Sequence, residues 1–206
     1  MGKAKKPPPK TVPKRASARK TKDARQDVDL AYEVVGDATD PGVKGGVTKF
    51  KPVGGIPDGK GGKNLFTTPG YEYQIKNGRK IIQRLNGPVV IKGTVRIQTV
   101  YGPNADPAHD SAYGRGTTVD DENNGDTSLG FHESCHRDDY ISYLKTKPLP
   151  KFGGRIGMTE REYNQAAADF QKAILRYFEE MDRVSDSRTD EVGYKKSMYE
   201  KNGPRP

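Results

Sequence analysis

The sequence predicts an α+β protein in which a small antiparallel sheet precedes a helical half. Two patterns predict this class. Alternating apolar residues are confined to the first half of the chain, and apolar residues at helical spacing to the last third. A third observation limits the size of the core: the 206 residues include 24 Gly and 15 Pro, and only 32% are hydrophobic. We therefore expect a small core beside long irregular segments.

The N-terminal segment, residues 1–27, is predicted to be a disordered, basic, Pro-rich tail, and residues 28–206 to form the folded domain. Residues 1–25 contain ten Lys or Arg and one acidic residue, so they carry all of the net charge of +9. The remaining chain has no net charge, which argues against nucleic acid as the partner of the folded part. The segment lacks the apolar stretch of a signal peptide, and no stretch is long enough to span a membrane.

The strands are predicted between residues 30 and 101. A short apolar run at 30–35 is the first, and a Gly- and Pro-rich loop is expected at 36–70. Two β-prone runs, 71–75 and 79–85, flank Asn77-Gly78, which is the strongest short signal for a hairpin. Residues 89–101 alternate apolar and polar side chains, as a half-buried strand does.

The helices are predicted after a second long loop, 102–127, whose length is typical of a functional segment. The first helix is expected from 127 or 128 to 145. The second begins at Thr159 with a capping box, since Glu162 follows three residues later. Its apolar stripe extends to Val184, and a short third helix is expected from 187 to 199.

The segment with the clearest chemistry is His132-Glu133-Ser134-Cys135-His136. This is an HExxH motif, and on a helix its two histidines lie on one face, one turn apart. Two imidazoles so placed can bind one Zn²⁺. Glu133 lies about 100° around the helix. It could therefore act as general base on a water molecule held by the metal without binding the metal itself.

Zinc in such a site needs a third protein ligand and keeps a fourth position open. His109 is the only other histidine of the chain, and it lies upstream. Downstream, the candidates are acidic residues: Glu179, Glu180, Asp186, Asp190 and Glu191.

The order of HExxH, a long amphipathic helix and then Thr189-Asp190-Glu191-Val192-Gly193-Tyr194 resembles two zincin groups. One is the deuterolysin-like aspzincins, and the other is a family of predicted bacterial secreted zinc proteases. Both have the third ligand two residues after the Thr, which the resemblance transfers to Glu191. Those families have Asp or His there, but a Glu carboxylate can also bind zinc. Asp190 and His109 stay open as alternatives.

The resemblance covers about residues 85–200 and implies a zincin-like fold with Zn²⁺ as cofactor. It also implies a zinc metallopeptidase with a protein or peptide substrate. Glu133 would be the catalytic base. Apart from the resemblance, the hydroxyl groups of Tyr194 and Tyr113 could donate a hydrogen bond to the oxyanion of a tetrahedral intermediate.

The basic leader and the compact domain are similar to bacterial toxin or effector domains that leave the producing cell without a signal peptide. In that setting the chain is cytoplasmic in its producer, and an immunity protein or a secretion-system protein is its partner. A housekeeping intracellular protease is the plainer alternative, and toxicity on expression that Glu133→Ala relieves would favour the effector. Two alternatives belong to other classes: a protein that binds nucleic acid or anionic surfaces through the basic tail, and a non-catalytic module stabilised by zinc.

Overall fold

A computed structural model describes residues 23–57 and 62–205. Most of the predicted tail therefore lies outside the described residues. Within these residues the fold is α+β, as predicted. The strands are β1 (Gln26–Val34), β2 (Ala38–Thr39), β3 (Gly46–Val53), β4 (Ile56–Pro57), β5 (Lys63–Asn64), β6 (Phe66–Thr67), β7 (Gly70–Lys76), β8 (Arg79–Asn86) and β9 (Val89–Tyr101). The helices are α1 (Val119–Asn124), α2 (Leu129–Thr146), α3 (Glu160–Thr189) and α4 (Lys196–Asn202).

The main sheet is built around β9, whose alternating pattern predicted a strand of this length. Along one edge β9 pairs in parallel with β1 and β2, and along the other it pairs antiparallel with β3 and β6. The prediction of a purely antiparallel sheet is therefore wrong. More than fifty residues separate β1 from β9, and a connection of that length permits parallel pairing. Strand β1 begins at Gln26, so the predicted boundary between tail and domain falls inside a strand.

Strand β3 lies where a loop was expected. Its sequence, Gly-Val-Thr-Lys-Phe-Lys-Pro-Val, alternates residues that face inward, such as Thr48 and Phe50, with exposed lysines. Pro52 fits because β3 pairs only with β9 among the described residues, and an edge strand tolerates a residue that has no N–H. The glycines and prolines around it concealed this alternation.

The hairpin is confirmed. Strands β7 and β8 are antiparallel around Asn77 and Gly78, which have φ values of 50° and 72°. They form a separate two-stranded sheet rather than joining β9. The hairpin packs against the start of α3 instead, where the Tyr71 and Tyr163 rings meet edge to face at 4.8 Å.

The two long helices begin where their capping residues predicted. The Ser128 hydroxyl accepts from the Phe131 N–H at the start of α2, and Thr159 with Glu162 forms the capping box of α3. The predicted third helix from 187 is wrong at its start, because α3 continues without a break to Thr189. A separate short helix, α4, begins only at Lys196.

The core lies between the main sheet and the helix pair of α2 and α3. Ile91, Val95 and Ile97 of β9 are fully buried there. The Phe50 ring lies 5.0 Å from Tyr140 of α2 and 5.9 Å from Phe178 of α3, measured between centroids. This contact holds β3 against both helices. It thereby places one edge of the sheet beside the HExxH segment.

Candidate metal centre

The two histidines of the motif lie on α2 and face the interior. His132 is 3% and His136 7% exposed, and their ring centroids are 5.1 Å apart. Burial follows from the position of α2, whose inner face is covered by α3 and β3. Both nitrogen atoms of an imidazole ring form hydrogen bonds or bind a metal, so a buried histidine needs a partner for each of them.

Each imidazole is fixed through its Nδ1 atom. His132 Nδ1 lies 3.0 Å from the backbone carbonyl oxygen of Arg115, and His136 Nδ1 lies 2.8 Å from Oγ of Ser185 on α3. A carbonyl can only accept, so the Nδ1 of His132 carries the proton. Its Nε2 is then the unprotonated nitrogen of the neutral ring. Contacts of this kind orient metal-binding histidines.

Asp190 faces both Nε2 atoms. It is the C-cap of α3, and its Oδ1 lies 3.1 Å from His132 Nε2 and 2.9 Å from His136 Nε2. Its second oxygen, Oδ2, accepts from Lys196 Nζ at 2.9 Å. The side chain is buried with the histidines. One ligand-type atom from each of the three residues lies within 4.8 Å of the others, so this group could hold a metal ion.

The chemistry of the three donors fits a cation. The Nε2 of a neutral His132 directs a lone pair at a carboxylate oxygen, which is unfavourable unless a proton or a metal ion lies between them. Burial disfavours the charged imidazole, but hydrogen bonds to Asp190 and the Arg115 carbonyl outweigh it and raise the pKa of His132. Burial opposes the charged carboxylate too, yet hydrogen bonds from His132, His136 and Lys196 hold the pKa of Asp190 far below its usual range. The site is thus built for positive charge facing a carboxylate.

Glu133 lies beside this group, on the side covered by β3. Its side chain is 3% exposed, and Oε2 accepts from the Thr48 hydroxyl at 2.8 Å. Glu133 and the two histidines line one cavity of about 480 Å³, which is partly open to solvent. A carboxylate, a three-donor group and a cavity therefore meet at one place.

Tyr113, in the loop before α1, contributes an aromatic wall. Its ring meets that of His132 edge to face, with 5.3 Å between centroids, and also lines the cavity. Burial and the nearby Asp190 carboxylate raise the pKa of Tyr113, so its hydroxyl keeps its proton at neutral pH. No residue that the structure describes accepts a hydrogen bond from that hydroxyl.

The structure places two of the predicted site residues, Glu191 and Tyr194, outside the three-donor group and its cavity. The carboxylate of Glu191 points away from the histidines and accepts from Ser197 N at 3.2 Å and Ser197 Oγ at 2.7 Å. Asp190, the alternative, takes its place in the group of three. Tyr194 does not line the cavity, and its hydroxyl donates to the Gly203 carbonyl at 2.8 Å.

The third histidine is also placed elsewhere. His109 is exposed in the loop before α1, and its Nε2 lies 3.6 Å from Asp106. It takes no part in the three-donor group.

Sequence reasoning missed Ser185, Thr48 and the Arg115 carbonyl. Ser185 precedes Asp190 by five positions and lies on the face of α3 that turns toward α2, a relation visible once the helix is known to continue through 189. Thr48 had no detectable signal because its strand was taken for a loop. The Arg115 contact uses the backbone carbonyl oxygen. Every residue has such an atom, so the amino-acid sequence does not indicate this contact.

The part of the chain that the structure describes contains no helix with the length and apolarity needed to cross a membrane. Comparisons with protein-family models, with curated proteins and with solved structures find no match to this chain.

Proposed function

We propose that this chain is a zinc-dependent peptidase. The observation that carries the proposal is the buried group of His132, His136 and Asp190 beside Glu133, all on the wall of one cavity. Structural zinc sites are closed by four protein ligands, whereas catalytic sites have three and keep a position for water or substrate. Three donors next to an open cavity favour the catalytic kind.

Zinc is the metal that this donor set favours. Two imidazole nitrogens and one carboxylate form a set common in zinc hydrolases, whereas calcium and magnesium prefer oxygen ligands. When bound there, zinc would lower the pKa of a water molecule and polarise the carbonyl group of a substrate. Lys196 orients the Asp190 carboxylate, because its hydrogen bond occupies Oδ2 and leaves Oδ1 for the metal.

Glu133 is the proposed general base. Its carboxylate reaches the cavity from the position that follows His132, so it lies next to the donor group without belonging to it. In the proposed reaction it accepts a proton from the attacking water and delivers it to the leaving amine. General acid–base catalysis of this kind contributes about 10²- to 10⁴-fold to a rate.

Tyr113 is the proposed donor to the oxyanion. Its ring is held between His132 and Tyr199, with centroid distances of 5.3 and 5.4 Å. Among the described residues none accepts a hydrogen bond from its hydroxyl, so the hydroxyl can donate to a substrate oxygen that gains negative charge. This replaces Tyr194, whose hydroxyl is already engaged.

Two features support a peptide as substrate. The resemblance of the motifs to zincin peptidases implies one. Strand β3 also pairs with β9 on one edge only among the described residues, and its residues from Gly46 to Phe50 border the cavity. An extended peptide can add to such an edge through main-chain hydrogen bonds.

The experiment is a comparison of Glu133→Gln with wild type and with Glu191→Gln. Each purified protein is assayed for zinc by mass spectrometry and for cleavage of a peptide library. We expect wild type and Glu191→Gln to bind one zinc and cleave peptides. Glu133→Gln should bind zinc but lose cleavage by at least about 100-fold. The Glu191 variant is the matched control, because that glutamate is exposed and outside the cavity.

Two results would contradict the proposal. Protein that binds no zinc above background would remove the metal centre. Stoichiometric zinc without any cleavage, together with a zinc-dependent rise in Tm that Glu133→Gln leaves unchanged, would instead support a non-catalytic zinc-stabilised module.

A further inference from the structure

Two buried threonines stand behind the Glu133 carboxylate. Thr48 of β3 and Thr99 of β9 are directly opposite each other in the antiparallel register, and they are 5% and 3% exposed. Their hydroxyl oxygens are 2.8 Å apart. The Thr48 oxygen is also 2.8 Å from Glu133 Oε2 and 3.1 Å from the Glu133 backbone carbonyl oxygen.

The direction of these hydrogen bonds is determined by the groups themselves. Thr48 has one hydroxyl hydrogen and three neighbouring oxygen atoms. An ionised carboxylate only accepts, and bonds to it are the strongest of the three. Thr48 therefore donates to Glu133, and Thr99 donates to Thr48. The result is a directed chain from β9 through β3 to the carboxylate.

Gly46 limits the position of the same carboxylate from another side. A Cβ atom at residue 46 would lie 2.7 Å from Glu133 Oε1 and 2.9 Å from its Cγ. The backbone of Gly46 does not have a positive φ, so glycine is needed here for space rather than for conformation. One carboxylate oxygen fits against Gly46 while the other is held by Thr48.

We propose that Thr48, supported by Thr99, is a positioning residue that fixes the Glu133 carboxylate for proton transfer, with Gly46 providing the space for it. The inference rests on the proposed function and extends it. The sheet, which supplies no metal ligand, would thereby set the geometry of the catalytic base. The peptide would pair with the backbone of β3, whereas the hydroxyl groups of Thr48 and Thr99 are engaged with Glu133 and with each other, so the role proposed for them is on Glu133 and not on substrate.

The test compares Thr48→Val with Thr48→Ser in the zinc-loaded full chain, using a cleaved library peptide as substrate. Valine keeps the volume and removes the hydroxyl, whereas serine keeps the hydroxyl. We expect Thr48→Val to lower kcat about 10- to 100-fold, by analogy with the effect of residues that orient metal ligands. KM and the zinc Kd should stay within about twofold of wild type, because binding is not affected. Thr48→Ser should restore kcat, and Thr99→Val should lower it less than Thr48→Val does.

Thr94→Val is the matched control, since Thr94 lies on the same strand as Thr99 but belongs neither to the hydrogen-bonded chain of Thr99, Thr48 and Glu133 nor to the cavity lining. It should leave kcat unchanged. If Thr48→Val does not fold, Gly46→Ala replaces it, because the added methyl group displaces the carboxylate while both threonine hydroxyls are kept. Equal kcat for wild type and the folded member of this pair would overturn the proposal.

A second readout does not depend on activity. Crystal structures of the zinc-free proteins should show the Glu133 carboxylate turned away in Thr48→Val and in place in Thr48→Ser. If wild type cleaves no peptide, the proposed function fails while this structural comparison still tests the positioning. If wild type cleaves peptides but the carboxylate of Thr48→Val stays in place, the positioning fails and the proposed function stands.

Discussion

Two regions of the molecule contribute to the same cavity and differ in structure. One is the helix pair of α2 and α3, and the other is the loop at residues 102–118. The helix pair is regular and supplies all three donors, His132, His136 and Asp190. The loop has no regular structure and supplies Tyr113 and the carbonyl group that orients His132. Helix geometry places the donors through residue spacing, whereas the loop must be held by individual contacts.

Those contacts are concentrated around Arg115. Its side chain donates three hydrogen bonds to the buried Asp121 carboxylate, the shortest at 2.7 Å. Its backbone N–H donates to the Thr189 carbonyl at 2.7 Å. At Gly114, φ is 68°, and a Cβ there would lie 2.2 Å from that same carbonyl oxygen. The loop is therefore anchored to the end of α3, close to Asp190. An irregular segment can position functional groups when its backbone is fixed in this way.

The largest expected effect is on zinc affinity, from a change in the donor group that the helix pair supplies. Asp190→Ala removes a donor, so we expect the zinc Kd to rise by more than about 100-fold, beyond the effect of losing an orienting contact. The variant should also lose the zinc-dependent increase in stability, about 2.7 kcal/mol at 100 times the wild-type Kd. Competition with a chelator and thermal melts measure both quantities. Glu191→Ala is the control, and a larger effect there than at Asp190 would refute the assignment.

The second largest expected effect is on kcat, from a change of Tyr113 in the loop. Tyr113→Phe removes the proposed oxyanion donor, and we expect kcat to fall about 100-fold, as for other donors of this kind. Zinc binding should not change. Tyr194→Phe is the control for the residue first predicted to have this role, and it should retain activity. If the two variants behave alike in peptide cleavage assays, Tyr113 has no special part in the reaction.

A smaller effect is expected at Ser185 of α3, whose hydroxyl contacts His136 Nδ1. Ser185→Ala should weaken zinc binding about tenfold, because the ring loses its orientation but keeps its nitrogen. Ser187→Ala, on the exposed face of the same helix, is the control. Unchanged zinc affinity in Ser185→Ala would mean that helix packing alone orients the ring.

The smallest effect is on stability, at the anchor of the loop. Asp121→Asn should lower the free energy of unfolding by about 2 kcal/mol at pH 7, the range for hydrogen bonds to charged groups. That corresponds to a fall in Tm of about 6 °C. The matched control is Asp120→Asn, an exposed residue next to it in the same helical turn.

The effect of Asp121 should depend on pH. Hydrogen bonds from Arg115 lower the pKa of Asp121 from 3.8 to about 2 against the opposing effect of burial. A depressed pKa stabilises the fold above the ordinary value and loses this contribution as pH falls toward the lowered one. The difference in Tm between wild type and Asp121→Asn should thus shrink between about pH 4 and pH 2. A constant difference would show that the charge of Asp121 does not matter.

Local sequence features predicted the elements that depend on neighbouring residues. Asn77-Gly78 specified the hairpin, Ser128 and Thr159 marked the helix starts, and alternation specified β9. The failures involve distant contacts. Strand β3 is held by β9 and by Phe50 packing on two helices, which no local pattern reveals. The parallel pairing of β1 depends on how the chain returns after more than fifty residues.

The candidate site divides in the same way. The spacing of His132, Glu133 and His136 requires a helix with two imidazoles on one face, and that followed from the sequence alone. The third donor did not, because Asp190 and Glu191 are adjacent and equally acidic. The end of α3 decides between them: continuation to Thr189 turns the carboxylate of Asp190 inward and leaves that of Glu191 to Ser197. Both residues follow the last residue of α3 directly, and only the packing of α3 against α2 determines which carboxylate faces the histidines.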